Sequence, residues 1–168
     1  IKNVVPQFST KYVPNETGGI LRLVKTVADW SSHYASDDDA WLPRISVENC
    51  PHVVADAVIR GVLLFSECVI HRVDYQRTGA GEILCRLVSC DIKPIDRTVA
   101  DGSVSFEIPT ANRAAYIGCT FYIPLDNIGD DFVSAISLAS AIGLGNDLRD
   151  GATAGTHYTN APSGFFLA

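Results

Sequence analysis

An all-β fold, an antiparallel sandwich or barrel, is what this sequence predicts, and three observations carry the prediction. Apolar and polar residues alternate with a period of two in several separate runs. Glycine and proline turn signals recur between those runs, and nowhere do strand and helix patterns alternate in the manner of βαβ units. The 168 residues suit one domain, and 47% hydrophobic against 19% charged residues is enough apolar material for a real core.

Residues 1–19 carry Pro6, Pro14, Asn15, Gly18 and Gly19 without either period, and read as an extended arm of the kind that reaches to a neighbour. A single domain is then expected over 20–168. Ile20 to Val27 is rich in branched residues and reads as the first strand. A polar loop, Asp29 to Asp39, follows, its three consecutive carboxylates bounded by Trp30 and Trp41, and Arg44 to Glu48 reads as a short strand.

Asn49-Cys50-Pro51 supplies a capping side chain and an early proline, Val53, Val54, Ala57 and Val58 share one helical face, and Gly61 can end the turn. A short helix is expected near 51–60. Val69, His71, Val73 and Tyr75 alternate with Arg72, Asp74 and Gln76 ahead of Thr78-Gly79-Ala80-Gly81, and apolar residues on both faces fill Glu82 to Ile92. That reads as a hairpin over 69–92. Val104 to Ile108 and Ala115 to Ile123 are strands stopped by Pro109 and Pro124. Phe132 to Leu144 fits a strand better than a helix. The last residues, Phe165-Phe166-Leu167-Ala168, call for burial. No internal repeat is evident.

Composition narrows the function classes. Thirteen Lys+Arg against 19 Asp+Glu give a net charge of −6, so binding nucleic acid would need a local basic patch. Arg72, Tyr75 and Arg77, and Arg113 with Tyr116, could stack and pair with phosphates only if they shared one groove. Ordinary surface placement is expected of them. The longest apolar run, Gly61 to Phe65, falls far short of a membrane span, and no stretch reads as a signal peptide. The start at Ile1-Lys2-Asn3 and the lack of any Met read as a processed or trimmed product.

Five cysteines, Cys50, Cys68, Cys85, Cys90 and Cys119, lie in apolar runs without a Cys-x-x-Cys pair and are expected as buried free thiols of a reducing compartment. The four histidines stand too far apart for a cupin-type or zincin-type metal site, and His71, on the apolar side of its strand, is expected in the core against a carbonyl or carboxylate. No nucleophile elbow and no phosphate-binding glycine fingerprint occurs, and the reading is of a protein that is not an enzyme. The concentrated anionic feature is Asp37-Asp38-Asp39: a solvated loop tip, or a calcium or subunit-contact loop, since adjacent carboxylates repel unless a cation or arginine neutralises them.

Val53 to Asp96, with its hydrophobic run Val62-Leu63-Leu64-Phe65, alternating Val73 and Tyr75, glycine turn, second strand and Asp91, Pro94, Asp96 ending, resembles the middle of the eight-stranded jelly rolls of icosahedral RNA-virus coat proteins. The resemblance implies a jelly-roll-like sandwich, self-assembly with sister coat subunits into a shell enclosing a genome, weak contact with viral RNA, and a place in the virion after assembly in the host cytoplasm. The alternative is a β-sandwich module, for instance a virion protrusion, that recognises a glycan or a partner protein with Trp30, Tyr34 and Trp41 grouped on one rim.

Overall fold

A computed structural model describes residues 8–9, 20–24, 27–31, 44–55, 62–73, 85–95, 97–98, 104–105, 108–109, 114–126, 131–132 and 134–168. Its strands in chain order are β1 (Phe8–Ser9), β2 (Ile20–Val24), β3 (Val27–Ser31), β4 (Arg44–Glu48), β5 (His52–Ala55), β6 (Val62–Ser66), β7 (Val69–Val73), β8 (Cys85–Val88) and β9 (Asp91–Ile92). They continue as β10 (Arg97–Thr98), β11 (Val104–Ser105), β12 (Ala114–Ile117), β13 (Thr120–Phe121), β14 (Ile136–Ser137), β15 (Ile142–Leu144), β16 (Asp147–Leu148) and β17 (Tyr158–Thr159). Sheet A runs β1-β3-β5-β7-β9-β13-β16, and sheet B runs β2-β4-β6-β8-β12-β15.

Every pairing in both sheets is parallel. The chain lays one strand in sheet B, turns a corner, lays the next strand in sheet A, and returns to start the following rung. Six such rungs, from β2–β3 to β15–β16, stack into a parallel β-solenoid. The expected antiparallel sandwich is therefore wrong. Side-chain alternation is the same in parallel and antiparallel strands, and it reports which face is buried without reporting the direction of the neighbour.

Three local expectations fall with it. The proposed 69–92 hairpin does not form, because β7 pairs with β5 and β9 in sheet A while β8 pairs with β6 and β12 in sheet B. The helix near 51–60 is replaced at His52–Ala55 by strand β5, whose hydrogen bonds to β3 and β7 outweigh a weak capping signal. Among the described residues there is no helix. The segment Ala115 to Ile123 is two strands, β12 and β13, either side of a corner.

The corners recur in register. Asn49, Glu67, Ser89, Gly118 and Gly145 all have φ between 52° and 66°. A non-glycine residue pays roughly 1–2 kcal/mol for that left-handed conformation. What it secures is an unbroken backbone ladder: the N–H groups of Asn49, Glu67, Ser89 and Gly118 donate to the carbonyls of Ser66, Val88, Ile117 and Leu144 on the next rung at 2.9–3.0 Å. Past each corner, Val69, Asp91, Thr120 and Asp147 donate back to the carbonyls of Cys50, Cys68, Cys90 and Cys119 at 2.9 Å. Leaving such groups buried and unpaired would cost about 1–3 kcal/mol each, more than the strain.

Inside the solenoid, like positions stack. Val47, Phe65, Leu87 and Tyr116 form one column, and Val53, Ile70, Ile92 and Phe121 another, all nearly inaccessible to solvent. The end of the first column is Gly143, where a Cβ would lie 2.3 Å from Cδ2 of Phe165. The missing side chain makes room for the tail: Phe165 is buried, its ring set edge-on or tilted against Phe121, Phe166 and Tyr116, and Leu167 N–H donates to the Asn146 carbonyl at 2.7 Å. The C-terminal segment thus closes the last rung. Of the expected arm, Phe8–Ser9 is described, and it adds to the edge of sheet A beside β3.

Candidate interaction surfaces

The densest chemistry in the described residues is internal. Cys50, Cys68, Cys90 and Cys119 follow the left-handed corner residue on successive rungs, and Asn146 takes the same place on the last. Cys68 Sγ donates to Val47 O at 3.3 Å, Cys119 Sγ to Leu87 O at 3.2 Å, and Asn146 Nδ2 to Tyr116 O at 3.2 Å, in each case the carbonyl two residues before the left-handed corner residue of the preceding rung. A hydrogen bond with Cys90 draws the Cys68 thiol down to about 7, and the bonds to Cys119 and Cys68 push Cys90 up. All five cysteines are free and buried, which shields them from reagents and leaves them a packing role. Among the described residues no group of three or more His, Cys, Asp or Glu could hold a metal ion.

Two outward faces remain. On sheet B the outward rows run Ser46, Leu64, Arg86, Ala115, Ile142 and Glu48, Ser66, Val88, Ile117, Leu144. They change character along the axis. Rung two is polar, with Ser46 Oγ donating to Glu48 at 2.9 Å, whereas the last rungs are aliphatic, with Ile117, Ile142 and Leu144 exposed by 42%, 48% and 69%. Ile117 faces Leu144 and Ala115 faces Ile142 across adjacent strands, so the patch is continuous.

The outward face of sheet A is polar and aromatic. His52 and His71 stack with ring centroids 4.6 Å apart, Lys93 sets its ammonium 4.3 Å from the centre of the Tyr122 ring, and Arg149 pairs with Asp147 at 2.9 Å. His71 does not enter the core as expected. It lies outside, partly buried, with Ile70 and Val73 taking the inward positions, and it does find a carbonyl, its Nδ1 lying 3.1 Å from Lys93 O. Burial, with the charges of His52 and Lys93 behind it, lowers the pKa of His71.

Tyr116 of the suggested aromatic-basic pair is fully buried, its hydroxyl donating to Pro109 O at 2.7 Å, so it is no stacking platform. Asp37, Asp38 and Asp39, Tyr34 and Trp41 lie outside the described residues, as do Arg77 and Arg113. Neither sheet face was singled out from sequence. The signal for both is the rung alignment, which only the repeated corner could have supplied. No described helix is long and apolar enough to cross a membrane. No family model, no curated protein and no solved structure matches the chain.

Proposed function

We propose that this chain is a structural solenoid module that associates with copies of itself through the outer face of sheet B. The carrying observation is the continuous aliphatic patch of Ile117, Ile142 and Leu144 on the last rungs, in a sheet whose second rung is polar. Such a flat patch offers no hydrogen-bonding groups of its own, and its strands repeat at about 4.8 Å. A second copy, turned by a two-fold axis, brings a surface of the same chemistry and the same spacing against it, which is the isologous arrangement that closes. A chain with only 19% charged residues is also poor in the charge that keeps surfaces apart. This reading retains the self-association that the coat-protein resemblance implied and rests on the solenoid in place of the jelly roll. The strand pattern of 53–96 that suggested the latter belongs to rungs two to four.

Sedimentation velocity over a wide concentration range tests the proposal. The chain should associate, and Ile142→Ser with Leu144→Ser should return it to a monomer with unchanged circular dichroism. A parent chain that stays monomeric at every concentration, or association that the double variant leaves intact, overturns it.

A further inference from the structure

We propose that His52 and His71 form a two-imidazole site on the outer face of sheet A for a borderline divalent transition-metal ion, of the kind represented by Ni2+ or Zn2+. The first support is backbone geometry. Between β5 and β7 the register runs Val53 to Ile70 and then Val54 to Arg72, so His71 is the extra residue of a bulge. Bulges re-aim side chains, and this one brings the His71 ring against that of His52, the centroids 4.6 Å apart and the planes inclined by 45°. Two nitrogens bound to one ion at about 2.0–2.1 Å lie roughly 3 Å apart, a separation that the near edges of rings so placed reach by small side-chain rotations.

The second support is the tautomer. The partner of His71 Nδ1 is a carbonyl oxygen, Lys93 O at 3.1 Å, so Nδ1 carries the proton and Nε2 carries the lone pair. A carbonyl behind one ring nitrogen, fixing the other as a ligand, is the usual outer partner of a metal-bound histidine. His71 is held from its main chain as well, its carbonyl accepting Ile95 N–H at 3.1 Å. The ammonium of Lys93 is engaged over the Tyr122 ring. Two protein ligands leave the remaining positions to water, and imidazole suits nickel and zinc better than calcium or magnesium.

Titration calorimetry of the full chain with Ni2+ at neutral pH should show one site, weakened about tenfold or more by His52→Gln and by His71→Gln. The variant His157→Gln is the control, since His157 is bonded to Thr153 at 3.0 Å and packed against Phe132. A measurement on the parent chain alone covers the case of a variant that does not fold: Ni2+ should broaden the ring resonances of His52 and His71 before those of His157. Absence of binding, affinity kept by both variants, or broadening that begins at His157 each overturns the proposal.

Discussion

Asn146 accepts the N–H of Cys119 on its Oδ1 at 2.9 Å, and by doing so it completes at the last rung a column that cysteine builds on the four rungs before it. A thiol is a weak donor and a weak acceptor, which suffices between rungs where the backbone ladder already pairs most groups. Among the described residues no rung follows the last one to pair with it. There the amide does more, donating also to Tyr116 O at 3.2 Å and to Phe165 O at 3.0 Å, and so ties the tail to the solenoid.

Replacing that amide should therefore cost more than replacing a thiol. Asn146→Ala removes the amide's three hydrogen bonds to backbone groups, those with Cys119 N–H, Tyr116 O and Phe165 O, and is expected to lower unfolding stability by about 3 kcal/mol. Cys50→Ala, at the other end of the column, removes weak thiol contacts, among them those to Glu48 O at 3.4 Å and to Cys68, and a small volume, and should cost less than half as much. Urea denaturation of the two variants checks the order, and a Cys50 variant as damaging as the Asn146 variant would contradict it.

Gly143 and Phe165 should show coupled energetics. A methyl at 143 would meet Phe165 Cδ2 and Cε2 at 2.3 and 2.5 Å and Asn146 Nδ2 at 2.6 Å, so Gly143→Ala must displace the ring that closes the end of the core. The expected loss is about 1–3 kcal/mol. Phe165→Ala alone should cost about 3–5 kcal/mol through the cavity it leaves. In the double variant the methyl occupies part of that cavity, and the combined loss should fall short of the sum of the two. Thermal denaturation of the four proteins measures the coupling, and simple additivity would show that the ring and the glycine are independent.

Much of the strand content was legible in the sequence, and the way the strands pair was not. Arg44 to Glu48 is a strand with the bounds its pattern suggests, and Ile20 and Val69 begin strands as expected. The difficulty lies at the corners. In Leu87-Val88-Ser89-Cys90-Asp91-Ile92, Leu87, Cys90 and Ile92 all point inward, because the left-handed Ser89 shifts the alternation by one residue. Read as a single strand, the same residues place apolar groups on both faces. The recurring signal is an apolar residue, two further residues, then Cys or Asn, any residue, and a large apolar residue: Phe65 to Ile70, Leu87 to Ile92, Tyr116 to Phe121, and Gly143 to Leu148 with glycine in the first place. Because the return segments differ in length, the copies fall at unequal intervals, and a search for a fixed period passes over them. His71 was misplaced for a related reason: the bulge that turns it outward depends on the partner strand and leaves no mark in its own alternation.

Alkali should unfold the solenoid through its buried acids. Burial raises Cys85 above the ordinary 9.0 and raises Tyr116 and Tyr158 above the ordinary 10.0, so in the folded chain these groups keep protons that the unfolded chain gives up. Above those values the unfolded state binds fewer protons than the native state. The stability they contribute is whole below pH 9 and falls as pH rises, by about 1.4 kcal/mol per pH unit for each group. Cys68, drawn down to about 7, acts in the opposite sense between 7 and 9, so the decline is best read above pH 10, where Cys68 no longer contributes a slope and the two tyrosines add theirs to that of Cys85. Denaturant titrations at successive pH values should show this slope, and Tyr158→Phe should reduce it by about one group's share. The variant begins from a lower stability, because it forfeits the hydrogen bond from the Tyr158 hydroxyl to Tyr122 O. A stability that stays level to pH 11, or a slope that Tyr158→Phe leaves unchanged, would mean that these hydroxyls reach water in the folded chain.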